Sequence, residues 1–465
     1  MMRVSIVFDE EDYITPSQEG LDDLLKMLAE VMTQERISGT FFIIGERFRC
    51  LRDRGRKDVL AAVARHDVGG HINLGSIHPT VTERMEQAGW ADGCARMAAE
   101  ELAGLEEMDA ILGKPMTSLA RHGGSFCPQL LAMMSQRKLP YVYSPAHLPK
   151  HHVTWYCNTL NFYDASSAFQ EAYLSRAAFL EAEKRFFNIV TQYKDFDWCA
   201  VFHSHPCMIK TKWFWDSNYF KGRNPALAEC RVPDFRAGFN LEEVRSNWEF
   251  HCARLRDNPD LRLGTISDFA SEFGTQTESI TPREIMELAA QAAETETPFW
   301  TDRFTAAEIL DFFARSYLLR SQARPLDTLM RRPVLGPTRL PLSVPSVRWI
   351  ESEALRRVAL GIVTSVTMTG MLPARICCGA GTLGSSGEIG IGSALAALGQ
   401  VLVKDKPSQS VETRPVAPYP NEGEELAAEV RAFKSWPCHR LDLDIDRVAR
   451  LAALQSWTLK PAWPQ

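Results

Sequence analysis

Four consecutive acids follow an apolar run near the N-terminus. Val4, Ile6, Val7 and Phe8 lead into Asp9, Glu10, Glu11 and Asp12. If the chain stays extended here, Asp9 and Glu11 point to one side, and Glu10 and Asp12 to the other. Away from a site, such a run is a solvated surface. His71 and His78 follow the turn-forming Val68-Gly69-Gly70, and His78 precedes Pro79. Two imidazoles and one carboxylate make a common open zinc site that leaves positions for water and substrate. His-x6-His is not a helical spacing, so the loop must fold back for both rings to meet one ion. The alternative for each is an ordinary core or surface histidine. His66 sits near the end of a helical segment and reads as a C-terminal cap. Arg121 follows a short apolar segment and precedes His122-Gly123-Gly124. An arginine at a strand end can hold and orient a carboxylate that serves as a base. His203 and His205 follow another apolar segment, with Asp195 and Asp197 just upstream. Histidine suits the protonation of a departing amine near neutral pH.

The elements that position these residues alternate. Residues 4–8 read as a buried strand, and residues 20–35 as a helix with Leu21, Leu24, Leu25, Leu28 and Val31 on one side. Residues 40–44 form a second strand, and a helix near 59–64 leads to Asp67-Val68. A long acidic, Ala-rich helix over 90–112 stops at Gly113-Lys114-Pro115. Short strands are expected at 116–120, 141–144 and 199–202, and a closing strand and helix within 261–273. Strand–helix–strand repetition predicts an α/β domain with parallel strands, which places ligand groups at the strands' carboxyl ends. All the candidate residues except His66 lie at or beyond such ends.

At roughly 150 residues per domain, a chain of 465 residues suggests two or three domains. The expected division is 1–276 and 277–465, with 274–277 as linker. The second part is more helical. Thr281-Pro282-Arg283-Glu284 has the form of a cap and first turn. Residues 304–309 and 384–389 look alike as helix starts and hint at a degenerate internal repeat. Residues 403–423 are Pro-rich and read as a surface connection. With 52 basic against 58 acidic residues, the composition gives no support to a nucleic-acid partner. No signal-like or membrane-spanning apolar run occurs, and the 11 cysteines lack a disulfide or CxxC pattern. A cytoplasmic protein with no membrane partner is expected.

An ordered set of blocks resembles the NodB-type polysaccharide deacetylase family (carbohydrate esterase family 4). The blocks are Val7-Phe8-Asp9-Glu10-Glu11, Thr40-Phe41-Phe42-Ile43-Ile44-Gly45, His66-Asp67-Val68-Gly69-Gly70-His71 with His78-Pro79, and Gly113-Lys114-Pro115 with Ala120-Arg121. Val201-Phe202-His203-Ser204-His205 and 263–269 complete them. The resemblance covers a little over half the chain. It implies a distorted (β/α) barrel, a divalent metal ion with zinc expected, and removal of an acyl group from an N-acylated sugar or related small amide. Carried over residue by residue, Asp9 is the general base, Glu11, His71 and His78 are metal ligands, Arg121 orients Asp9, and His203 is the acid with His205 in reserve. Glu10 or Asp12 could replace Glu11. The chain departs from the family pattern in three places, the first being that the second acid is Glu11, in an Asp-x-Glu form. The family's histidine pair is spaced by three residues, and Gly75 stands where the second would fall; three inserted residues restore His78-Pro79. His122-Gly123 replaces a more usual proline. If His78 does not reach the ion, His66, His122 or Asp12 is the next donor. The departures leave one alternative, a catalytically silent carbohydrate- or wall-binding protein. Residues 370–375 and 389–398 weakly resemble pseudomurein-binding repeats. Otherwise the second part is a helical domain that shapes the pocket or makes a homo-oligomer contact. The aromatic stretches His151-His152-Val153-Thr154-Trp155-Tyr156 and Trp213-Phe214-Trp215 are candidate pocket walls.

Overall fold

Residues of the first strand, β1 (Met2–Glu10), divide by parity between two cores. Val4, Ile6 and Phe8 pack in one cluster with the surrounding helices, and Val7 in another with Phe42, Ala120 and Val142. Both faces of the strand are therefore covered, as parallel strands require. In the computed structural model the described residues are 1–163, 167–193, 199–380, 386–404 and 409–464. The side chains of 199–203 lie outside that description, His203 among them, as do Asp195 and Asp197.

β1 pairs in parallel with β2 (Thr40–Ile43), which continues to β3 (Asp67–Gly70), β4 (Leu119–Ala120) and β5 (Tyr141–Ser144). A hairpin of β6 (Val153–Tyr156) and β7 (Thr159–Tyr163) follows, with β7 parallel to β5. On the other side β1 meets β9 (Cys199–Ser204), which pairs with β8 (Ser167–Ala168). The start of β1 also pairs with β10 (Leu261–Leu263). Four steps separate β1 from β5, about 19 Å across a flat sheet. Yet the Tyr143 hydroxyl on β5 lies 3.1 Å from Asp9 on β1. The sheet must therefore roll, and the fold is a distorted (β/α) barrel of the α/β class. The expected helices cover its outside. Leu24, Leu25, Leu28 and Val31 of helix Leu21–Gln34 are fully buried. The helix over 90–112 runs through a π turn at Ala98–Leu102. No helix among the described residues is long and apolar enough to cross a membrane.

A second core gathers helices Pro282–Glu294, Ala306–Ser321, Ser352–Thr369 and Ile391–Lys404. Capping boxes Thr281/Glu284 and Thr305/Glu308 open the first two of these. The second supposed helix start does not behave like the first. Ser386–Gly390 is a strand paired with Arg375–Ala380, and the helix begins only at Ile391. Gly384 and Ser385 lie outside the described residues. The chain end also departs from the expected 277–465 unit. Leu426, Val430, Leu443, Val448 and Ala452 pack into the first core, and Lys460–Pro461 adds an antiparallel strand to β6. Helices Glu422–Ala432 and Asp446–Gln455 thus return to the barrel, because their apolar stripes find a covering surface there.

Candidate metal centre

Period-two alternation continues past the strand ends and decides which side chains enter the barrel mouth. Asp9 and Glu11 share the inner side with Val7, and both are buried. Their neighbours turn outward. Glu10 meets the Arg47 Nε at 2.6 Å, and that fully buried guanidinium also reaches Asp22 at 2.7 Å. Asp12 accepts from the Ile14 and Thr15 amides, both at 2.9 Å, and fastens the following turn. At β4 the same rule places Ala120 inside, Arg121 outside and His122 inside. Arg121 Nε donates to the Tyr143 carbonyl at 2.7 Å and its guanidinium lies over the Phe433 ring at 4.3 Å.

Three imidazoles converge on Glu11. The Nε2 atoms of His71, His122 and His205 lie 3.1, 3.5 and 3.6 Å from Glu11 Oε1. Trp215 donates its indole N–H to the other oxygen, Oε2, at 3.1 Å. Asp9 Oδ2 lies 3.7 Å from His71 and 3.9 Å from His205. Ligand atoms of Glu11, His71 and His122 all fall within 4.8 Å of one another, as do those of Asp9, Glu11 and His205. Burial would raise the Glu11 carboxyl, but the adjacent His122 and His205 hold it well below the usual carboxylate range. Burial opposes a charge on His122, and Glu11 overrides it, so its pKa is raised. Two imidazole nitrogens and one carboxylate oxygen are a donor set suited to zinc. Among the described residues the buried Nδ1 atoms of His71 and His122 have no hydrogen-bond partner, and packing positions the rings. His122 stacks on Trp215 and meets Trp436 edge-on at 5.3 Å.

His78, expected as a third ligand, is placed elsewhere. Its Nδ1 faces Glu83 Oε2 at 2.8 Å and its Nε2 faces the Tyr219 carbonyl at 3.2 Å. His66 also stays structural, with Nε2 on the Ala29 carbonyl at 2.8 Å. Gly75 has φ +56° and a Cβ there would stand 2.9 Å from Ile44, so the loop makes its turn where the family pattern would place an imidazole. His205 Nδ1 lies 2.7 Å from Gln170 Nε2. With the Gln170 amide donating, the His205 proton sits on Nε2, facing the carboxylates.

Two site residues were not candidates in the sequence. Tyr143 would face outward by simple alternation. A break in the β5–β7 register between Val142 and Ser144, with Tyr143 at φ +60°, turns it inward. Trp436 arrives from the distant C-terminal segment and covers His122. A Cβ at Gly123, itself at φ +48°, would meet the Trp436 ring at 2.1 Å. The parity of Ala120 could have singled out His122. Nothing local announces Trp436. Of the aromatic candidates, Trp215 joins the site directly, and Phe214 packs edge-on against His205 at 4.7 Å.

No protein-family model matches the chain, and no curated protein matches it. Solved structures do. One is a mutant of a CE4 family pseudoenzyme with restored enzymatic activity, at 10% identity over 57% of this chain and 66% of that one, with a TM-score of 0.30. The chain thus spans just under two thirds of that protein. Others are a family 4 carbohydrate esterase from Streptomyces lividans in complex with acetate (15%, 57% and 93%, TM-score 0.28) and the Puue allantoinase (12%, 58% and 89%, TM-score 0.36). The first two are structures of the family that the sequence resembles.

Proposed function

We propose that the protein is a metal-dependent amide hydrolase that removes an acyl group, acetyl foremost, from an N-acylated sugar or a related small amide. The observation that carries this reading is the convergence of the Glu11 carboxylate with the Nε2 atoms of His71 and His122, beside Asp9 and His205. Glu11, His71 and His122 would hold the ion. Bound there, a divalent cation such as zinc supplies Lewis acidity toward the carbonyl and toward water. Asp9 accepts the proton of the attacking water, with its carboxylate held by the Tyr143 hydroxyl at 3.1 Å. His205 carries a proton on the Nε2 that faces the site and delivers it to the departing nitrogen. His203 remains the alternative acid. Phe214 and Trp436, both half-buried, give the mouth aromatic walls against which a sugar ring can stack, with the fully buried Trp215 behind them.

The test is metal analysis of the purified chain, joined to amine release from a panel of N-acetylated sugars and small amides. Stoichiometric zinc and amine release that chelation abolishes are expected. An apo protein that stays inactive after metal addition would overturn the assignment and leave the binding-only alternative. The substrate is proposed to be soluble and the protein cytoplasmic. Recovery of the native protein mainly in the cell wall would contradict both.

A further inference from the structure

A cleft of about 840 Å³ opens where helices Glu422–Ala432 and Asp446–Gln455 face the loop at 338–340 and the start of helix Trp90–Met97. None of its lining residues belongs to the metal centre. Four arginines line it, Arg339, Arg431, Arg447 and Arg450, against one acid, Glu424. Arg431 is engaged by Asp446 at 2.9 Å, and Glu424 accepts from the Tyr419 hydroxyl. Arg339, Arg447 and Arg450 have no ion pair or hydrogen bond among the described residues. This happens in a chain whose acids outnumber its bases, 58 to 52.

Local physics does not favour this arrangement. Arg447 and Arg450 are three residues apart on one helix, so they share a face and repel. Arg447 lies in the first turn, where the helix dipole disfavours a cation. Arg339 brings a third guanidinium from another part of the chain. Most of the rest of the lining is apolar, including Trp90 and Leu340, with Thr338 and Tyr419 as its polar members, and Leu340 is 61% exposed. Unpaired guanidiniums that line a cleft with aromatic and aliphatic walls fit an anionic group attached to an apolar body. One planar carboxylate is satisfied by a single arginine fork. Several guanidiniums from different directions suit a tetrahedral dianion with three free oxygens.

We propose that this cleft binds an organic phosphate whose body is aromatic or apolar. It is a second ligand site, independent of the proposed hydrolase reading. Isothermal titration calorimetry of the full chain, with phenyl phosphate as probe, tests it. At about 50 mM salt one saturable equivalent should bind, and the affinity should fall about tenfold at about 500 mM salt because the contacts are screened. Benzyl alcohol and benzoate should bind more weakly, as should inorganic phosphate, which lacks the apolar body. The double variant Arg447→Gln/Arg450→Gln should lose affinity by about tenfold or more, with a melting temperature no lower than wild type, since a like-charge contact is relieved, and an unchanged metal content. If that variant does not fold, Arg339→Gln on the exposed loop should still lose about threefold. Wild-type affinity in the folded double variant, or no affinity loss in Arg339→Gln, overturns the proposal. So does benzyl alcohol or benzoate binding as well as phenyl phosphate, or no saturable binding up to about 10 mM, the weak end of specific affinities.

Discussion

Replacing His122 or His71 with Ala takes one nitrogen donor from the group around Glu11 Oε1. Each variant should lose zinc affinity by about 100-fold or more, since the proposed three-ligand site would become a two-ligand one. Competition with a chromogenic chelator measures it. His78→Ala should keep zinc affinity close to wild type, because both of its ring nitrogens are already engaged by Glu83 and Tyr219. It should instead cost about 1–3 kcal/mol of stability, since the buried Glu83 carboxylate loses a partner. A His78→Ala protein that folds normally but has lost its zinc would contradict this placement. Tyr143→Phe removes the hydroxyl that steadies Asp9. Its kcat should fall about tenfold, as expected if Asp9 is the proposed general base and is displaced, with KM and zinc content little changed. A pure KM effect would assign Tyr143 to substrate binding instead.

At the scale of elements, the π turn Ala98–Leu102 aims Glu101 at the loop that carries His71. Glu101 is buried and accepts the Asn73 amide at 2.7 Å, two residues beyond His71. Burial pushes its carboxyl up from 4.5 to about 7, against the opposing pull of the Asn73 amide and Arg84. The unfolded chain loses this proton near pH 4.5 and the folded chain only near 7. The contribution to stability is therefore complete below about 4.5 and is lost as pH rises to about 7. Glu101→Gln keeps an acceptor for the amide without the titration. Its unfolding free energy should exceed wild type at pH 8 and match it near pH 4.5, with a gap on the order of 3 kcal/mol at the alkaline end. Parallel pH profiles for the two proteins would show that Glu101 is not the titrating group. β5 shows a second element-scale device. Its register break spends one residue, Tyr143, in a left-handed conformation that costs on the order of 1–3 kcal/mol, and thereby re-aims a side chain at Asp9.

For the whole molecule, the barrel is completed by the far end of the chain. Leu426, Val430, Leu443, Val448 and Ala452 sit in its core, the Tyr156 hydroxyl donates to the Ala452 carbonyl, and Lys460–Pro461 covers the edge of β6. A fragment of residues 1–276 should thus expose an apolar surface and an open strand edge, and should aggregate or melt well below the full chain. Residues 1–276 joined by a flexible linker to 420–465 should recover much of the lost melting temperature. Circular dichroism and limited proteolysis compare the three. A fragment 1–276 as stable as the full chain would show that the returning segment is dispensable.

Much of the candidate site was legible in the sequence because strand parity is local. Asp9, Glu11 and His71 follow from where strands end and from the alternation of side chains about an extended backbone. The α/β class and its parallel strands are likewise carried by repeating local patterns. The same parity, applied at Ala120, puts His122 in and Arg121 out, although the resemblance drew attention to Arg121. What sequence could not decide is which distant groups meet. Whether His78 folds back to the ion or settles on Glu83 depends on loop closure against Tyr219, 141 residues away. Trp436 reaches His122 only because two C-terminal helices find the barrel rather than the second core. Such choices are set by the burial of complementary apolar surfaces from remote segments, a quantity that exists only once the chain has closed on itself.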